Sequence, residues 1–232
     1  MLQIQRQNDI MRLLGEHQEI TVKELCAALY SSPATIRRDL ADLEKRGLLK
    51  RSFGGAVLTD TYIDQLPLAI RSTKHIAEKK KICAKAVQEF VHKGDTIFLD
   101  ASSTTYFMAG YLKNIPDLTV ITNNPHLNTV LSELKIRNFC TGGEMLNSSI
   151  ALVGSEAEHF VRNIQAHSVF FSARGICDGE ISDSSKAERD MKIAMLQASK
   201  HHYFLCDTSK QNLRFTYRIT DMNHVDALID EL

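Results

Sequence analysis

The sequence predicts an α/β protein in two parts, a small helical domain followed by a larger domain with a mostly parallel sheet. In the first part, apolar residues recur at helical spacing in three short stretches, and a basic hairpin follows them. In the second part, short continuous apolar runs alternate with helical stripes, which is typical of a parallel sheet covered by helices. We therefore divide the chain into residues 1–57, a polar linker over 58–75 and an α/β domain over 76–232.

Composition excludes several classes of protein. The 232 residues are 44% hydrophobic and 24% charged, which is typical of a globular protein rather than a fibrous or disordered one. The chain begins with polar residues, and no apolar run approaches the ~18 residues of a membrane span, so we expect a cytoplasmic protein with no membrane partner. The five cysteines and nine histidines lack metal-ligand or redox spacing. We therefore expect buried free thiols, no metal and no cofactor.

Three helices are predicted in the first domain. An apolar stripe places the first within residues 4–17. Thr21 and Glu24 have the spacing of a capping box at the start of the second helix. Ser32 can cap the third helix, and Pro33 occupies its first turn.

The third helix carries the residues that predict function. A basic hairpin over residues 48–57 follows it, and this order is that of a winged helix-turn-helix, whose third helix lies in the major groove of DNA. Because Ile36 faces the core, helical geometry directs Arg37 and Arg38 away from it. Each guanidinium can bind a guanine edge or a phosphate. We expect Asp39 to pair with a neighbouring arginine, since DNA would repel a free carboxylate.

Other residues are predicted to contact the DNA backbone. The hydroxyls of Ser32 and Thr35 lie at the helix N-terminus, and Lys50 and Arg51 lie on the hairpin. The segment from the third helix to the hairpin has six basic and three acidic residues, on a chain of zero net charge. A solvated salt-bridge face is the alternative interpretation. The helix order, the cap and the hairpin favour DNA binding over it.

These residues resemble the DeoR family of transcriptional regulators. The resemblance runs through Arg6, Ile10, Leu14, Ser32-x-x-Thr35-Ile36-Arg37-Arg38-Asp39-Leu40, Leu43-Glu44, Gly47 and Gly54-Gly55-Ala56. Two positions depart from the family pattern: Ser31, where an apolar residue is usual, and Phe53, where histidine or tyrosine is common. The resemblance implies a protein that binds double-stranded operator DNA, most often as a repressor.

Apolar runs in the second domain predict the strands of the sheet. Five are clear and the sixth is weaker: Thr96–Leu99, Leu118–Ile121, Val169–Phe171, Tyr203–Cys206, Val225–Ile229 and, as the weaker one, Ile136–Cys140. Stripes of apolar residues predict helices around 82–90, 157–164 and 187–198. This alternation indicates a sheet whose strands run mostly in one direction.

Polar residues after the first of these strands predict a ligand site. Ligands of parallel sheets bind at the carboxyl ends of the strands, and this strand leads into Asp100, Ser102, Ser103, Thr104 and Thr105. Small hydroxyl side chains at the start of a helix can hold a phosphate. The alternative is that Ser103 or Thr104 only caps the following helix, and this segment alone does not separate the two.

Further candidate ligand residues lie beyond other strands: Asn123, Gly142, Gly143, Glu188, Lys192, Asp207 and Lys210. Asn123 and Asp207 can bond sugar hydroxyls, and Lys210 can neutralise a phosphate. The glycine pair either lets the backbone approach a ligand or forms a plain turn. Glu188 and Lys192, spaced i and i+4, either bind the ligand or only support their helix.

The second domain also resembles the DeoR family over nearly its full length. The matching residues include Asp100, Ser103-Thr104-Thr105, Ile121-Thr122-Asn123, Gly142-Gly143, Gly154, Gly175, Glu188, Lys192 and Asp207-x-Ser209-Lys210. The C-terminal domain of that family is similar to ribose-5-phosphate isomerase and binds phosphorylated sugars as effectors, so the resemblance implies such an effector here. Ser102 departs from the family, whose loop usually has glycine.

Three functions compete to explain these features. We favour a regulator of a sugar-metabolism operon, working as a homodimer or homotetramer because helix-turn-helix proteins pair two recognition helices. A sugar-phosphate isomerase with an added DNA-binding domain is the alternative, and it needs a carboxylate to move a proton between carbons. Related isomerases carry that carboxylate in an Asp-Gly-Ala-Asp-Glu loop, where this chain has Ser172-Ala173-Arg174-Gly175, with Asp178 and Glu180 nearby. We therefore expect no enzyme activity. A purely architectural DNA-binding protein leaves the second domain unexplained.

Overall fold

The computed structural model describes residues 3–17, 19–45, 48–57, 71–147 and 149–232. The chain forms two compact units, Met1–Lys74 and His75–Leu232. Most of the predicted linker, residues 58–70, lies outside the described residues.

Among its described residues, the first unit contains three helices and a three-stranded antiparallel sheet. The helices are α1 (Gln3–His17), α2 (Val22–Leu29) and α3 (Pro33–Lys45), and the strands are β1 (Glu19–Thr21), β2 (Lys50–Ser52) and β3 (Gly55–Val57). The sheet order is β1-β3-β2. The predicted helices and hairpin are confirmed. The strand β1 was not predicted, because three residues carry too short a pattern to be recognised without their partner.

Local capping sets the starts of α2 and α3. The Thr21 hydroxyl accepts the Glu24 N–H at 3.2 Å, and the Glu24 carboxylate accepts the Thr21 N–H at 2.8 Å, which closes the predicted capping box. The Thr35 N–H donates to the Ser32 hydroxyl at 3.2 Å, so the predicted cap of α3 is confirmed. The three helices enclose a core that includes Ile10, Leu14, Leu25, Ile36, Leu40 and Leu43.

The second unit alternates strands and helices. Its strands are β4 (Thr96–Leu99), β5 (Thr119–Thr122), β6 (Arg137–Cys140), β7 (Glu144–Leu146), β8 (Ala151–Val153), β9 (Ala166–Phe171), β10 (Gly175–Cys177), β11 (Glu180–Asp183), β12 (Ser199–Leu205), β13 (Tyr217–Asp221) and β14 (Ala227–Ile229). Its helices are α4 (Ile76–Phe90), α5 (Ala109–Leu112), α6 (Pro125–Glu133), α7 (Ser155–Arg162) and α8 (Lys186–Gln197). Short 3₁₀ turns cover Thr105–Met108, Thr208–Lys210 and Met222–His224.

Six of the described strands form one parallel sheet in the order β14-β12-β9-β4-β5-β6. All six predicted strands are present, and the weak one is the edge strand β6. Side chains alternate across the sheet, so Ile97 and Leu99 pack with α4, α5 and α6, whereas Phe98 packs with α7 and α8 on the other face. The sheet is thus buried between two layers of helices.

Two antiparallel groups were not predicted. The strands β7 and β8 form a hairpin, and β10, β11 and β13 form a small sheet in the order β10-β11-β13. These strands are three to five residues long, and β13 pairs with β11 from a distant part of the chain. Their side chains have no clear alternation, so they become recognisable only through their partners.

Candidate DNA-binding surface and effector site

The first two turns of α3 present an exposed pair of arginines. Ile36 is fully buried, whereas Arg37 and Arg38 are exposed. Within the part of the chain that the structure describes, neither guanidinium has a hydrogen bond or an ion pair. Both are therefore available to an external ligand, as the sequence predicts.

The carboxylate of Asp39 is buried and pairs with a residue of another helix. Asp39 is 1% exposed and accepts from Nε of Arg6 in α1 at 2.5 Å and from its Nη2 at 3.3 Å. The expected pairing with a neighbouring arginine is therefore wrong. Three residues after Ile36, Asp39 returns to the buried face of α3, where it joins this helix to α1.

The other two acidic side chains of α3 are also bonded within the unit. Asp42 accepts from Gln3 at 2.9 Å. Glu44 accepts the Arg51 N–H at 2.8 Å and its Nε at 2.6 Å, and the backbone donor lowers the pKa of Glu44. Of the two predicted hairpin contacts, Lys50 is exposed, and Arg51 fastens the hairpin to α3. The acids of α3 therefore pair inside the unit while Arg37, Arg38 and Lys50 stay exposed.

Hydroxyls at the start of α3 lie close together. The Ser32 and Thr35 oxygens are 2.9 Å apart, and Ser32 also caps the helix. A phosphate contact by these hydroxyls stays a prediction.

Two exposed aromatic residues were missing from the predicted DNA contacts. Tyr30 is 97% exposed between α2 and α3, and Phe53 is fully exposed at the tip of the hairpin. The tip itself is anchored, because Val22 N–H donates to the Gly54 carbonyl at 2.8 Å. At Gly55, a Cβ would lie 2.4 Å from the Ile20 carbonyl oxygen. In the sequence, Phe53 directly precedes the glycine pair. That position could have indicated an aromatic side chain exposed at an anchored turn.

In the second unit, the predicted ligand residues meet at the point where the strand order reverses. The chain runs from β4 toward β6 on one side, and β9, β12 and β14 extend the sheet on the other. Asp100 follows β4 and Ser172 follows β9, and the Ser172 N–H donates to the Asp100 carboxylate at 3.2 Å. Ligands of open parallel sheets bind at this reversal. Ser172 was part of the loop weighed for catalysis but was not a predicted ligand residue.

The loop after β4 is held by its own hydroxyls and by Asp100. Ser102 accepts the Thr105 N–H at 3.2 Å, and Thr105 donates to the Asp100 carboxylate at 2.9 Å. The hydroxyl that accepts a backbone N–H at the start of the 3₁₀ turn is thus that of Ser102, not that of Ser103 or Thr104 as the capping alternative had it. Ser103 and Thr104 instead accept hydrogen bonds from the ammonium groups of Lys79 and Lys210.

Lys79 in α4 is a site residue that the sequence analysis missed. It is 3% exposed and donates to the Ser103 hydroxyl at 3.1 Å. Lys79 lies at i, i+3 and i+4 spacing with Ile82 and Cys83, on the buried stripe of its helix. A lysine on an apolar stripe was the signal that could have found it.

Lys210 faces the same loop from the end of β12. Its Nζ donates to the Ser172 hydroxyl at 2.7 Å and to the Thr104 hydroxyl at 3.0 Å, and lies 3.3 Å from Asp207. Burial opposes the charge of Asp207, but Lys210, the Ser209 hydroxyl and Lys79 together outweigh it, so the pKa of Asp207 is lowered. Two ammonium groups and the hydroxyls of Ser103, Thr104 and Ser172 thus meet at the carboxyl edge of the sheet, beside the buried carboxylate of Asp207.

Lys192 is surrounded by carboxylates on the α8 side of the same edge. It is 4% exposed, and its Nζ lies 3.0 Å from Asp183, 3.5 Å from Glu188 and 3.7 Å from Asp100. Burial alone would lower the pKa of Lys192, but these charges raise it above its ordinary value. Asp183, at the end of β11, was not predicted because its strand was not. The Glu188–Lys192 pair therefore does not only support its helix, since Lys192 also pairs with Asp183 and Asp100.

The predicted glycine pair has two different roles. At Gly143, with φ +106°, a Cβ would lie 2.5 Å from the Val153 carbonyl oxygen, so close packing against β8 requires glycine there. At Gly142, with φ +71°, a Cβ would meet nothing within 4 Å. The close approach expected toward a ligand is therefore made to the protein's own backbone at Gly143.

The cysteines do not form a reactive group. Cys83 and Cys206 are buried, but Cys26, Cys140 and Cys177 are only partly so, and the expectation of burial was wrong for these three. Burial raises the pKa of Cys83 to about 12 and that of Cys206 to about 11. Among the described residues, no group of His, Cys, Asp and Glu could hold a metal ion. No described helix has the length and apolarity to cross a bilayer.

Together, the units define a helix-turn-helix protein with a separate α/β domain of the type that binds small ligands at its strand ends. Comparison with known proteins identifies both units. The DeoR-like helix-turn-helix domain matches residues 6–62, and the DeoR C-terminal sensor domain matches residues 74–231. The chain belongs to the DeoR family of transcriptional regulators.

Relatives of known name match the chain over nearly its whole length. An uncharacterised helix-turn-helix transcriptional regulator, YulB of Bacillus subtilis, is 34% identical over 100% of this chain and 90% of its own. The glycerol-3-phosphate regulon repressor of Escherichia coli is 29% identical over 98% of this chain and 90% of its own. Both names describe the relatives as regulators of transcription.

Solved structures are similar to part of this chain. The eIF2B delta subunit of Chaetomium thermophilum aligns with a TM-score of 0.52 at 16% identity, over 68% of this chain and 57% of that one. A ribose 5-phosphate isomerase from Plasmodium falciparum aligns with a TM-score of 0.43 at 16% identity, over 57% of this chain and 52% of that one.

Proposed function

We propose that this protein is an operator-binding repressor of a sugar-metabolism operon, and that a phosphorylated sugar bound in the second unit controls its affinity for DNA. The observation that carries the effector proposal is the pair Lys79 and Lys210, which faces the hydroxyls of Ser103 and Thr104 at the reversal of the sheet. Both ammonium groups bring positive charge to this edge of the sheet, where Asp207 lies 3.3 Å from Lys210. Charged donors of this kind suit a phosphate.

The DNA-binding half of the proposal rests on Arg37 and Arg38. Their guanidiniums are exposed on the helix that enters the major groove in this class of protein. Lys50 on the hairpin adds a contact to the DNA backbone, and the exposed Phe53 lies at its tip. We infer that the protein is a homodimer or homotetramer, since two recognition helices must meet successive turns of the groove. We also infer that it acts in the cytoplasm.

The effector proposal is tested by thermal denaturation of the full chain with phosphorylated sugars and the same sugars without phosphate. A specific ligand raises the melting temperature because it binds only the folded state. Thr104→Val and Lys210→Gln should abolish this rise and the effector response of DNA binding, while basal affinity for a selected operator persists. Lys113→Ala, which removes an exposed lysine near the amino ends of β5 and β6, is the matched control. A normal rise in both site variants would contradict the proposed pocket.

The isomerase alternative has an observation in its favour, since Asp100, Asp183 and Glu188 lie together around Lys192. Their surroundings argue against a catalytic base. Asp100 already accepts from the Ser102 N–H, the Thr105 hydroxyl and the Ser172 N–H. The names of the relatives also favour a protein that does not catalyse. Turnover of a pentose or hexose phosphate by the purified protein would establish the alternative.

A further inference from the structure

The strand β6 is the outermost strand on one side of the six-stranded sheet, and its outer side is open. In its ladder with β5, the Thr141 N–H donates to the Thr122 carbonyl at 3.1 Å. Residues of a parallel strand face its two sides alternately, so the backbone N–H and C=O of Asn138 point away from the sheet. Among the described residues, no strand pairs with this side of β6. An outer strand with free backbone groups is a template for pairing with another strand.

The same strand carries an exposed cation and an exposed aromatic ring on one face. The Asn138 side chain faces α6, where its Nδ2 donates to the Ser132 hydroxyl at 3.1 Å. Side chains alternate along a strand, so Arg137 and Phe139 share the opposite face. Phe139 is 43% exposed, and the guanidinium carbon of Arg137 lies 5.6 Å from the centre of its ring. Within the part of the chain that the structure describes, Arg137 has no ion pair.

A second copy of β6 complements this strand with two-fold symmetry. In an antiparallel pairing centred on Asn138, the two copies of that residue exchange both backbone hydrogen bonds. The residues on either side then form non-hydrogen-bonded pairs, in which side chains are closest, and each pair sets Arg137 opposite Phe139 of the second copy. Each guanidinium thereby gains a second aromatic ring as a partner. The strand is self-complementary, as a two-fold interface requires.

The outermost strand on the other side of the sheet is protected against the same contact. The strand β14 has three residues, and Asp226, Asp230 and Glu231 flank it. An antiparallel pairing centred on Leu228 would set Asp226 opposite Asp230 of a second copy, and like charges in such pairs are destabilising. Short length and flanking charges are common protections of an outer strand. The two sides of the sheet therefore differ, and β6 is the side that is open to pairing.

We infer that β6 is a self-association surface, through which two copies of the chain join their six-stranded sheets side by side. The inference rests on the homo-oligomer proposed above and specifies one of its contacts. In a homodimer this contact is the interface, and in a homotetramer it joins the copies in pairs. Its two-fold symmetry suits a helix-turn-helix protein, which places two recognition helices on one operator.

The test is light scattering after size-exclusion chromatography of the full chain at several concentrations. Phe139→Arg should halve the mass of the oligomer and raise its dissociation constant at least about tenfold, because like charges replace both cross-strand pairs. Phe139→Glu should keep the wild-type mass, since the new carboxylate faces Arg137 of the second copy. Leu228→Arg, the matched control, places the same charge on β14, where Leu228 is 38% exposed, and should also keep the wild-type mass.

Hydrogen exchange of the Asn138 amide is an independent measurement, because the pairing removes this N–H from water. Its exchange should slow as the concentration of the wild type rises, and should stay fast in Phe139→Arg. Circular dichroism checks that each variant folds. If Phe139→Arg does not fold, the wild type decides by itself, since fast exchange of Asn138 in the oligomer contradicts the pairing.

The outcomes separate the inference from the proposed function. If the wild type is an oligomer and folded Phe139→Arg keeps its mass, the inference is overturned and the proposed homo-oligomer stands. Dissociation of Phe139→Glu to the same extent as Phe139→Arg overturns it too, because Arg137 then does not face residue 139 of the second copy. If the wild type is a monomer at every concentration, the proposed homo-oligomer fails and the inference fails with it. Dissociation of Phe139→Arg alone supports both.

Discussion

At the scale of single residues, neighbours on α3 have opposite roles because of the helical period. Arg38 is exposed, whereas Asp39, one residue later, is buried against Arg6. A rotation of about 100° per residue separates the two faces. The arginines can therefore contact DNA while the carboxylate next to them holds the helix in place.

Replacing Arg37 or Arg38 with alanine should weaken operator binding by about 1–3 kcal/mol where the contact is bidentate to a base. The reason is that each exposed guanidinium supplies two donors to one base edge. Fluorescence anisotropy with a selected operator measures the change, and Arg12→Ala, an exposed arginine of α1, is the control. Equal affinity for both variants and the wild type would show that α3 is not the reading helix.

Replacing Arg6 with methionine should destabilise the first unit by about 3 kcal/mol, the lower end for a broken buried pair. The substitution keeps the packing of the side chain but leaves the Asp39 carboxylate buried without its partner. Hydrogen exchange of α1 and α3 in the full chain measures the effect.

The exposed ion pair of Glu44 and Arg51 provides the comparison. Glu44→Gln should change the hydrogen exchange of α1 and α3 much less than Arg6→Met does. The double variant Arg6→Met with Asp39→Leu should recover part of the loss, because no buried charge remains. No recovery would mean that packing, not charge, accounts for the effect.

At the scale of elements, turns and hairpins are positioned by contacts with distant backbone. The β7–β8 hairpin starts at Gly143, which packs against the Val153 carbonyl. The tip between β2 and β3 is held by the first amide of α2. Elements that are too short to be stable alone gain their geometry from such contacts.

Gly143→Ala should destabilise the second unit by more than about 1–3 kcal/mol, because it adds a backbone clash to the strain of a positive φ. Gly142→Ala is the same substitution at a position where the new Cβ meets no neighbour. Only the strain of the positive φ remains, so it should cost about 1–2 kcal/mol. Thermal denaturation of the two variants gives the comparison. Equal destabilisation would contradict the assigned contact. Loss of effector binding in Gly142→Ala alone would restore the predicted ligand role of that residue.

At the scale of the whole molecule, buried charge is concentrated at the carboxyl edge of the main sheet. Lys79, Lys192 and Lys210 are gathered there with Asp100 and Asp207, although they come from separate parts of the chain. Such groups link stability to pH.

Stability of the second unit should fall as the pH drops below about 4. Against the effect of burial, Lys210, the Ser209 hydroxyl and Lys79 together hold the pKa of Asp207 below its ordinary 3.8. The stabilisation by Asp207 is therefore present above pH 3.8 and is lost as the pH falls through the lower, folded value. The raised pKa of Lys192 acts at the other end, since its contribution is lost only as the pH rises above 10.5. Melting temperatures measured between pH 3 and 6 test this loss of stability in acid. In Asp207→Asn, the melting temperature should depend less on pH over this range. An unchanged slope in that variant would exclude Asp207 as the cause.

Part of the fold and of the candidate site was predictable from the sequence. The arginine pair of α3, the capping box at Thr21, and the strands that precede Asp100, Asn123 and Asp207 all follow from local spacing. Three features were not predictable: the partner of Asp39, the contact between Lys79 and Ser103, and the position of Asp183. Each depends on which distant segment packs against the residue.

The sequence by itself therefore determined the order of elements, the exposed arginine pair of α3 and the strands whose ends carry the candidate site residues. Helical and strand periods are local properties, and a few neighbouring residues suffice to express them. Only the tertiary structure decided which ammonium faces which hydroxyl, and that Lys192 is held by three carboxylates. Those pairings form when segments far apart in the chain are buried together, because a charge that leaves water requires a partner.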